Sequence, residues 1–353
     1  MCIRDRANTT ASNNTAVGAH ALTANTTGTN NHAFGSGSLD ANTTGSHNVA
    51  MGQNSLGANT TASENAALGH NAMASNTTGQ YNVAVGSSAL DANTTASNNV
   101  AVGVAALGAN TTGASNVAVG KSALDANTTG NDNTGIGTLA LSANTTAHNN
   151  VAVGRSALEA NTTGTYNVAI GKDALQASTT ADNNTAVGYL ALTENTTGTN
   201  NVAVGYGALD AITTGNNSTA VGYNALSADT GGFNVGIGYT AGAAVSTGTR
   251  NTAVGPAALD AATTGNDNTA LGANALGAAT TSSANTALGA YAGASLTTGT
   301  SNVAVGYTAL DAVTTASSNT AVGHNALTAN TAGDNTAVGR HALYANTTCL
   351  LYT

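Results

Sequence analysis

The chain has 353 residues, of which only 7% are charged, and its 16 Asp and Glu against 7 Lys and Arg give a formal charge of −9. That acidic balance argues against a nucleic-acid binder, whose phosphate contacts need a basic face. Low charge and the absence of Trp do not amount to a disordered composition, because Val, Thr, Ile and Leu recur in register; no apolar run approaches the ~20 residues of a helical membrane span.

The chain opens on Met-Cys-Ile-Arg-Asp-Arg and closes on Cys-Leu-Leu-Tyr-Thr, neither of which fits what lies between. The head can be written ATG TGT ATA AGA GAC AG, and the reverse complement of that string, read one base in, encodes the tail. One oligonucleotide on opposite strands at both ends resembles the transposon end used to make sequencing libraries. Residues 1–6 and 349–353 are therefore read as a non-native scar, and residues 7–348 as natural sequence forming a single repeat domain whose own termini are missing. Cys2 and Cys349 fall in the scar, which leaves the natural segment with neither a disulfide framework nor a thiolate metal site. Removing Arg4, Asp5 and Arg6 moves the formal charge from −9 to −10.

From Gly18 to Gly339 the chain repeats N-V/T-A-V-G-x-x-A-L-x-A-N-T-T-G-x-x every seventeen residues, twenty times, with intervals of sixteen only at Gly222–Gly238 and Gly323–Gly339. A fixed short period means a stack of like units, each touching its neighbours. Positions are counted here from that Gly as zero. The run N-V-A-V-G reads as a strand, since β-branched residues fit a pleated surface and Gly ends the run; A-L-x-A reads as a second short strand. No segment has the ten or more residues at 3.6 spacing that a helix needs. The fold class is all-β: a solenoid of about twenty seventeen-residue rungs, which at ~4.8 Å per rung makes a rod of roughly 95 Å.

The core is assigned to Leu at position 4 (Leu90, Leu124, Leu158, Leu209) and the apolar residue at position 16 (Val85, Val119, Val153, Val204). The Asn at position 13, as in Asn82, Asn99, Asn116 and Asn133, suits an axial amide ladder; Asn at position 7 suits a second one. The Asn-Thr-Thr triplets match a glycosylation pattern, but that match comes free with the repeat. In V-A-V, positions 14 and 16 form one apolar face and Ala at 15 the other. Strands apolar on both faces are usually covered on both, so the Ala face either packs on another chain or lies bare as a flat surface.

The core Asn82-Val83-Ala84-Val85-Gly86, or Asn167-Val168-Ala169-Ile170-Gly171, resembles the head repeat of YadA-like trimeric autotransporter adhesins over the whole natural segment. The resemblance implies a left-handed parallel β-roll, a homotrimer, and attachment at the bacterial cell surface or outer membrane through a host receptor, matrix protein or surface glycan. The rung here is longer than in those heads, and no coiled-coil stalk or membrane anchor is visible. Long-rung repeats of phage tail fibres are also similar, which would place the chain on a virion; a monomeric structural solenoid is the third reading.

No catalytic constellation, cofactor motif, nucleic-acid surface or membrane-contacting segment is legible. The seven His residues are scattered over rung positions, and the Asp residues at position 5 (Asp40, Asp91, Asp125, Asp210, Asp260, Asp311) lack calcium-roll spacing. One column stands out. Position 1 reads Tyr189, Tyr206, Tyr223 and Tyr239 on successive rungs and elsewhere takes Lys121, Arg155 and Lys172, so it faces solvent. Exposed aromatics with polar tips favour interaction surfaces, though a ladder also steadies its own rungs. Thr at positions 8 and 9 raises ice binding as a distant alternative, against which adjacent Thr in extended chain point to opposite faces.

Overall fold

A β-branched or similar residue, an Ala and a second apolar residue, closed by Gly, suffice for one three-residue strand per rung. The computed structural model describes residues 10–345 and within them holds twenty such strands, from β1 (Thr15–Val17) to β20 (Thr336–Val338), and no helix. The two segments read as scar lie outside the described residues. Contacts divide the chain into two compact units, one ending at Ala181 and one starting at Asp182. The first carries β1 to β10 (Val168–Ile170), the second β11 (Thr185–Val187) to β20. Each is a parallel β-solenoid in which every strand pairs in register with the next, for example Val83 with Val100, Ala84 with Ala101 and Val85 with Val102.

The strand stops at the same place in each rung for a backbone reason. All twenty glycines at position 0 hold φ between +127° and +144°, a region open essentially to Gly alone. At Gly120 an added Cβ would also lie 2.5 Å from the Gly137 carbonyl oxygen of the next rung.

The expected second strand is not one. Residues at positions 2 and 4 have left-handed backbone, as at Ser88 (φ 53°) and Leu90 (φ 54°), and the A-L-x-A segment is a turn rather than extended chain. The coiling sends adjacent side chains the same way. Ala89 and Leu90 are both fully buried, whereas neighbours in a strand would face opposite sides. Left-handed backbone costs a non-Gly residue roughly 1–2 kcal/mol; burying the Leu returns ~1.5–3 kcal/mol, and axial bonds such as Leu90 N–H to Ala106 C=O (2.9 Å) add to it.

The core assignment is half right. Leu90, Leu124, Leu158 and Leu209 are fully buried. Val85, Val119, Val153 and Val204 are not: each sits half-exposed on the outer face of its strand, and the Ala at position 15 points inward. Space decides this. Where Gly135 replaces that Ala, an added Cβ would lie 3.3 Å from Leu124 Cγ across the rung. A methyl group already fills the gap, so the larger Val turns outward. The Ala face is therefore the inner one, and it is the Val face that is left to solvent.

In the second unit the core moves within the rung. Gly242 and Gly293 vacate position 4, and there position 7 carries Val245 and Leu296, both buried. The two sixteen-residue intervals lose their residue at the corner. Phe233 and Asp334 keep the left-handed backbone of position 12 (φ 60° at both), and Thr219 still pairs with Val235, and Thr320 with Thr336, in register.

Both Asn columns are buried and bonded along the axis, by different means. At position 13 the side chain mainly serves backbone: Asn99 N–H donates to Asn82 Oδ1 (2.9 Å), and Asn82 Nδ2 donates to Ala96 C=O of the next rung (2.9 Å). Asn116 and Asn133 repeat the pattern. Position 7 holds the amide-to-amide ladder, with Asn42 Nδ2 donating to Asn25 Oδ1 at 2.9 Å and so on to Asn161, which donates to Asn144 at 3.0 Å. Each of these Nδ2 groups also donates to the position 10 carbonyl of its own rung, so the Asn of the Asn-Thr-Thr triplets is occupied structurally.

Candidate functional site

Three surface features follow from this rung, all set by which positions point outward. The first is the aromatic column in the second unit. Gly at position 0 ends the strand, and the next residue is thrown to the surface once per rung. Tyr189, Tyr206, Tyr223 and Tyr239 stand there, 41%, 45%, 46% and 61% exposed. Their ring centroids follow one another at 5.5, 5.1 and 5.4 Å; the first pair is tilted by 54° and the next two are parallel within 12°. The stripe read from the sequence is thus a continuous ladder.

A second ladder escaped the sequence reading. Tyr291, Tyr307, His324, His341 and Tyr344 succeed one another at 6.1, 5.5, 5.6 and 5.4 Å. His324 and His341 occupy different rung positions, 1 and 2, so counting by column kept them apart. The structure stacks them, because neighbouring positions on adjacent rungs are close enough for long side chains to meet. Asn325 Nδ2 lies 3.2 Å from His341 Nε2. The rings lie in a stack rather than converging on a point, and the described residues hold no group of three or more His, Cys, Asp or Glu placed to bind a metal ion.

The second feature is the outer face of the strands. Position 16 is apolar on all twenty and half-exposed or more, including Phe34, Met51, Leu68, Ile136, Ile170, Leu271 and Leu288. Position 14, beside it, is mostly Val or Thr. Two columns about 7 Å wide on ten rungs at ~4.8 Å make on the order of 300 Å² of outward surface per unit. In the first unit that strip is mostly apolar and matches in size the largest apolar patch of an ordinary monomer, which is often functional; in the second, Thr takes position 14 on seven of ten strands.

The third is the corner. Thr at position 8 spends its hydroxyl along the axis, as Thr26 Oγ1 donates to Thr43 C=O at 3.0 Å, while Thr at position 9 is exposed. The Asp at position 5 is half-buried. Burial pushes the carboxyls of Asp91, Asp125, Asp210, Asp260 and Asp311 above the ordinary aspartate value. Asp229, in a shortened rung, is fully buried and also raised, chiefly by desolvation, although Ser218 Oγ (3.0 Å), Asn234 Nδ2 (3.1 Å) and the Gly231 and Gly232 N–H groups all donate to it. Ser218, where position 13 departs from Asn, is thus matched by the acid that replaces Asn at position 7.

No family model matches the chain, and no curated protein matches it in sequence. Among the described residues, no helix is long and apolar enough to cross a membrane.

Proposed function

We propose that the chain is the repeat segment of a fibrous surface protein, a non-catalytic attachment or display element in which three copies pack through their outer strand faces. The observation that carries this reading is the apolar column at position 16, half-exposed on every strand. A single copy leaves it in water; three copies meeting along it would bury it, with β-branched residues from facing sheets interdigitating as at a sheet-on-sheet contact. The sequence left the Ala face either to a partner chain or bare, and the inward turn of that Ala moves the contact proposed here to the Val face. The resemblance of N-V-A-V-G to adhesin head repeats supports the same assembly and a bacterial surface location. Identical columns then present one contact many times, so weak individual contacts add up.

The test is the molar mass of the full chain by light scattering under reducing conditions, which keep Cys2 and Cys349 from cross-linking copies. Three times the chain mass is expected, falling to one chain when Val102, Val119 and Val153 are changed to Lys. A folded monomer of the unmodified chain would overturn the trimer and leave a structural solenoid.

A further inference from the structure

We infer that the ladder of Tyr206, Tyr223 and Tyr239, with Tyr189 at its end, binds an extended, neutral, β-1,4-linked polysaccharide of the cellulose or chitin type, one sugar to a rung. The inference rests on the attachment reading above and names its ligand class. Parallel rings whose centres are 5.1 and 5.4 Å apart exceed the ~3.5–4.0 Å at which carbon atoms touch. They can be in contact only if slipped sideways. A slipped stack is a flight of steps, and each step offers a strip of ring face and a phenol hydroxyl to solvent, in keeping with the 45–61% exposure of these three rings.

A polymer that makes the same contact on every step must repeat at the step interval. An extended polypeptide brings same-side groups round every ~6.6–6.8 Å, so it drifts out of phase by more than about 1 Å per rung. A nucleic-acid strand carries a phosphate every ~3.4 Å and meets an acidic protein with no basic face here. An extended β-1,4-linked hexose chain advances per sugar by nearly the ring-to-ring interval. Both faces of each of its sugars carry C–H groups that pack on aromatic rings, and its hydroxyls project at the edges, where the phenols are.

The flanking positions suit a neutral chain. Position 2 reads Leu190, Gly207, Asn224 and Thr240, and position 16 reads Val187, Val204, Val221 and Ile237, with no charge in either column at these rungs. The half-exposed Asn224 and Thr240 add hydrogen-bonding groups beside the rings. From rung to rung, Tyr307, His324 and His341 keep a similar pitch, 5.5 and 5.6 Å.

Depletion of the full chain from solution by microcrystalline cellulose and by chitin tests this, with amylose and gelatin as comparators. Saturable binding to a β-1,4 polymer is expected, with amylose and gelatin retaining at least tenfold less. The double variant Tyr206→Ala, Tyr223→Ala should lose at least tenfold in affinity with unchanged far-UV dichroism, since these rings are exposed. Tyr206→Phe, Tyr223→Phe keeps the ring faces and should bind within threefold of the unmodified chain. Equal retention of the Ala variant, a Phe variant as weak as the Ala one, or preference for amylose or gelatin would overturn the assignment. The mass measurement separates the two readings: a trimer that ignores both β-1,4 polymers refutes the ligand, and a monomer that binds them refutes only the trimer.

Discussion

The ladder at position 7 ends at a defect, and repairing it tests what the ladder contributes. From Asn42 to Asn161 each Asn is fully buried, donates to the preceding Asn Oδ1 at 2.8–3.2 Å, and donates again to a carbonyl in its own rung. Ser178 then takes the next place, and its side chain is too short to continue the ladder. Asn161 Oδ1 and Ser178 Oγ are both buried without a partner. Ser178→Asn sets an amide where earlier rungs already accommodate one, supplies the donor that Asn161 lacks, and reaches the Ala181 carbonyl as Asn59 reaches that of Ala62 at 3.0 Å. The new Oδ1 is itself an acceptor, so the change amounts to one orphan fewer and two hydrogen bonds more. A buried polar group left unpaired costs ~1–3 kcal/mol, which puts the gain at about 1–2 kcal/mol. Repeat proteins open locally, so hydrogen exchange is the suitable assay. The amides of Thr162 and Thr163, which donate to Thr179 C=O, should exchange roughly 5–30-fold more slowly. Asn93→Ser, which strands Asn76 Oδ1 in mid-ladder, should speed exchange by a similar factor. Unchanged protection in both variants would show that the buried amides stabilise nothing.

Two further outcomes follow from the same geometry. Gly120→Ala should destabilise its rung by at least about 3 kcal/mol, because φ is +139° and the methyl meets the Gly137 backbone; a melting curve identical to that of the unmodified chain would mean the strand end can relax. Stability should rise on mild acidification. Asp91, Asp125, Asp210, Asp229, Asp260 and Asp311 have folded values above their unfolded ones through burial, so the folded chain holds more protons in that interval. Their contribution grows as pH falls through the raised values, is complete below the ordinary aspartate value, and is lost as pH rises again. Asp267, lowered by Arg250, acts in the opposite sense but is fully exposed. The melting temperature is expected to be higher at pH 4.5 than at pH 7, and a steady fall over that range would refute the burial of this column.

Stacking explains why so much was readable before any coordinates. In a solenoid, residues one period apart become neighbours, so a written column is a spatial one. The period, the Gly that ends each strand, the core Leu, the Asn columns and the Tyr206–Tyr239 ladder were all readable from residue type in columns one rung apart. Features that cross columns did not. His324 and His341 stack from different positions, and the hand-over from position 4 to position 7 at Val245 and Leu296 joins two columns that the repeat keeps separate.

What only the tertiary structure decided is which face of the V-A-V strand turns inward and how the A-L-x-A segment closes the rung. A three-residue V-A-V strand is apolar on both faces, so periodicity cannot say which is inner. The choice was made by volume, since the gap in front of Leu124 holds a methyl and no more. Likewise, A-L-x-A reads as extended chain until the rung has to close. Closing it needs left-handed backbone at positions 2 and 4, which turns adjacent Ala and Leu into one narrow core. Spacing along the chain set the neighbours between rungs; the space inside each rung, which no single repeat spells out, set the faces.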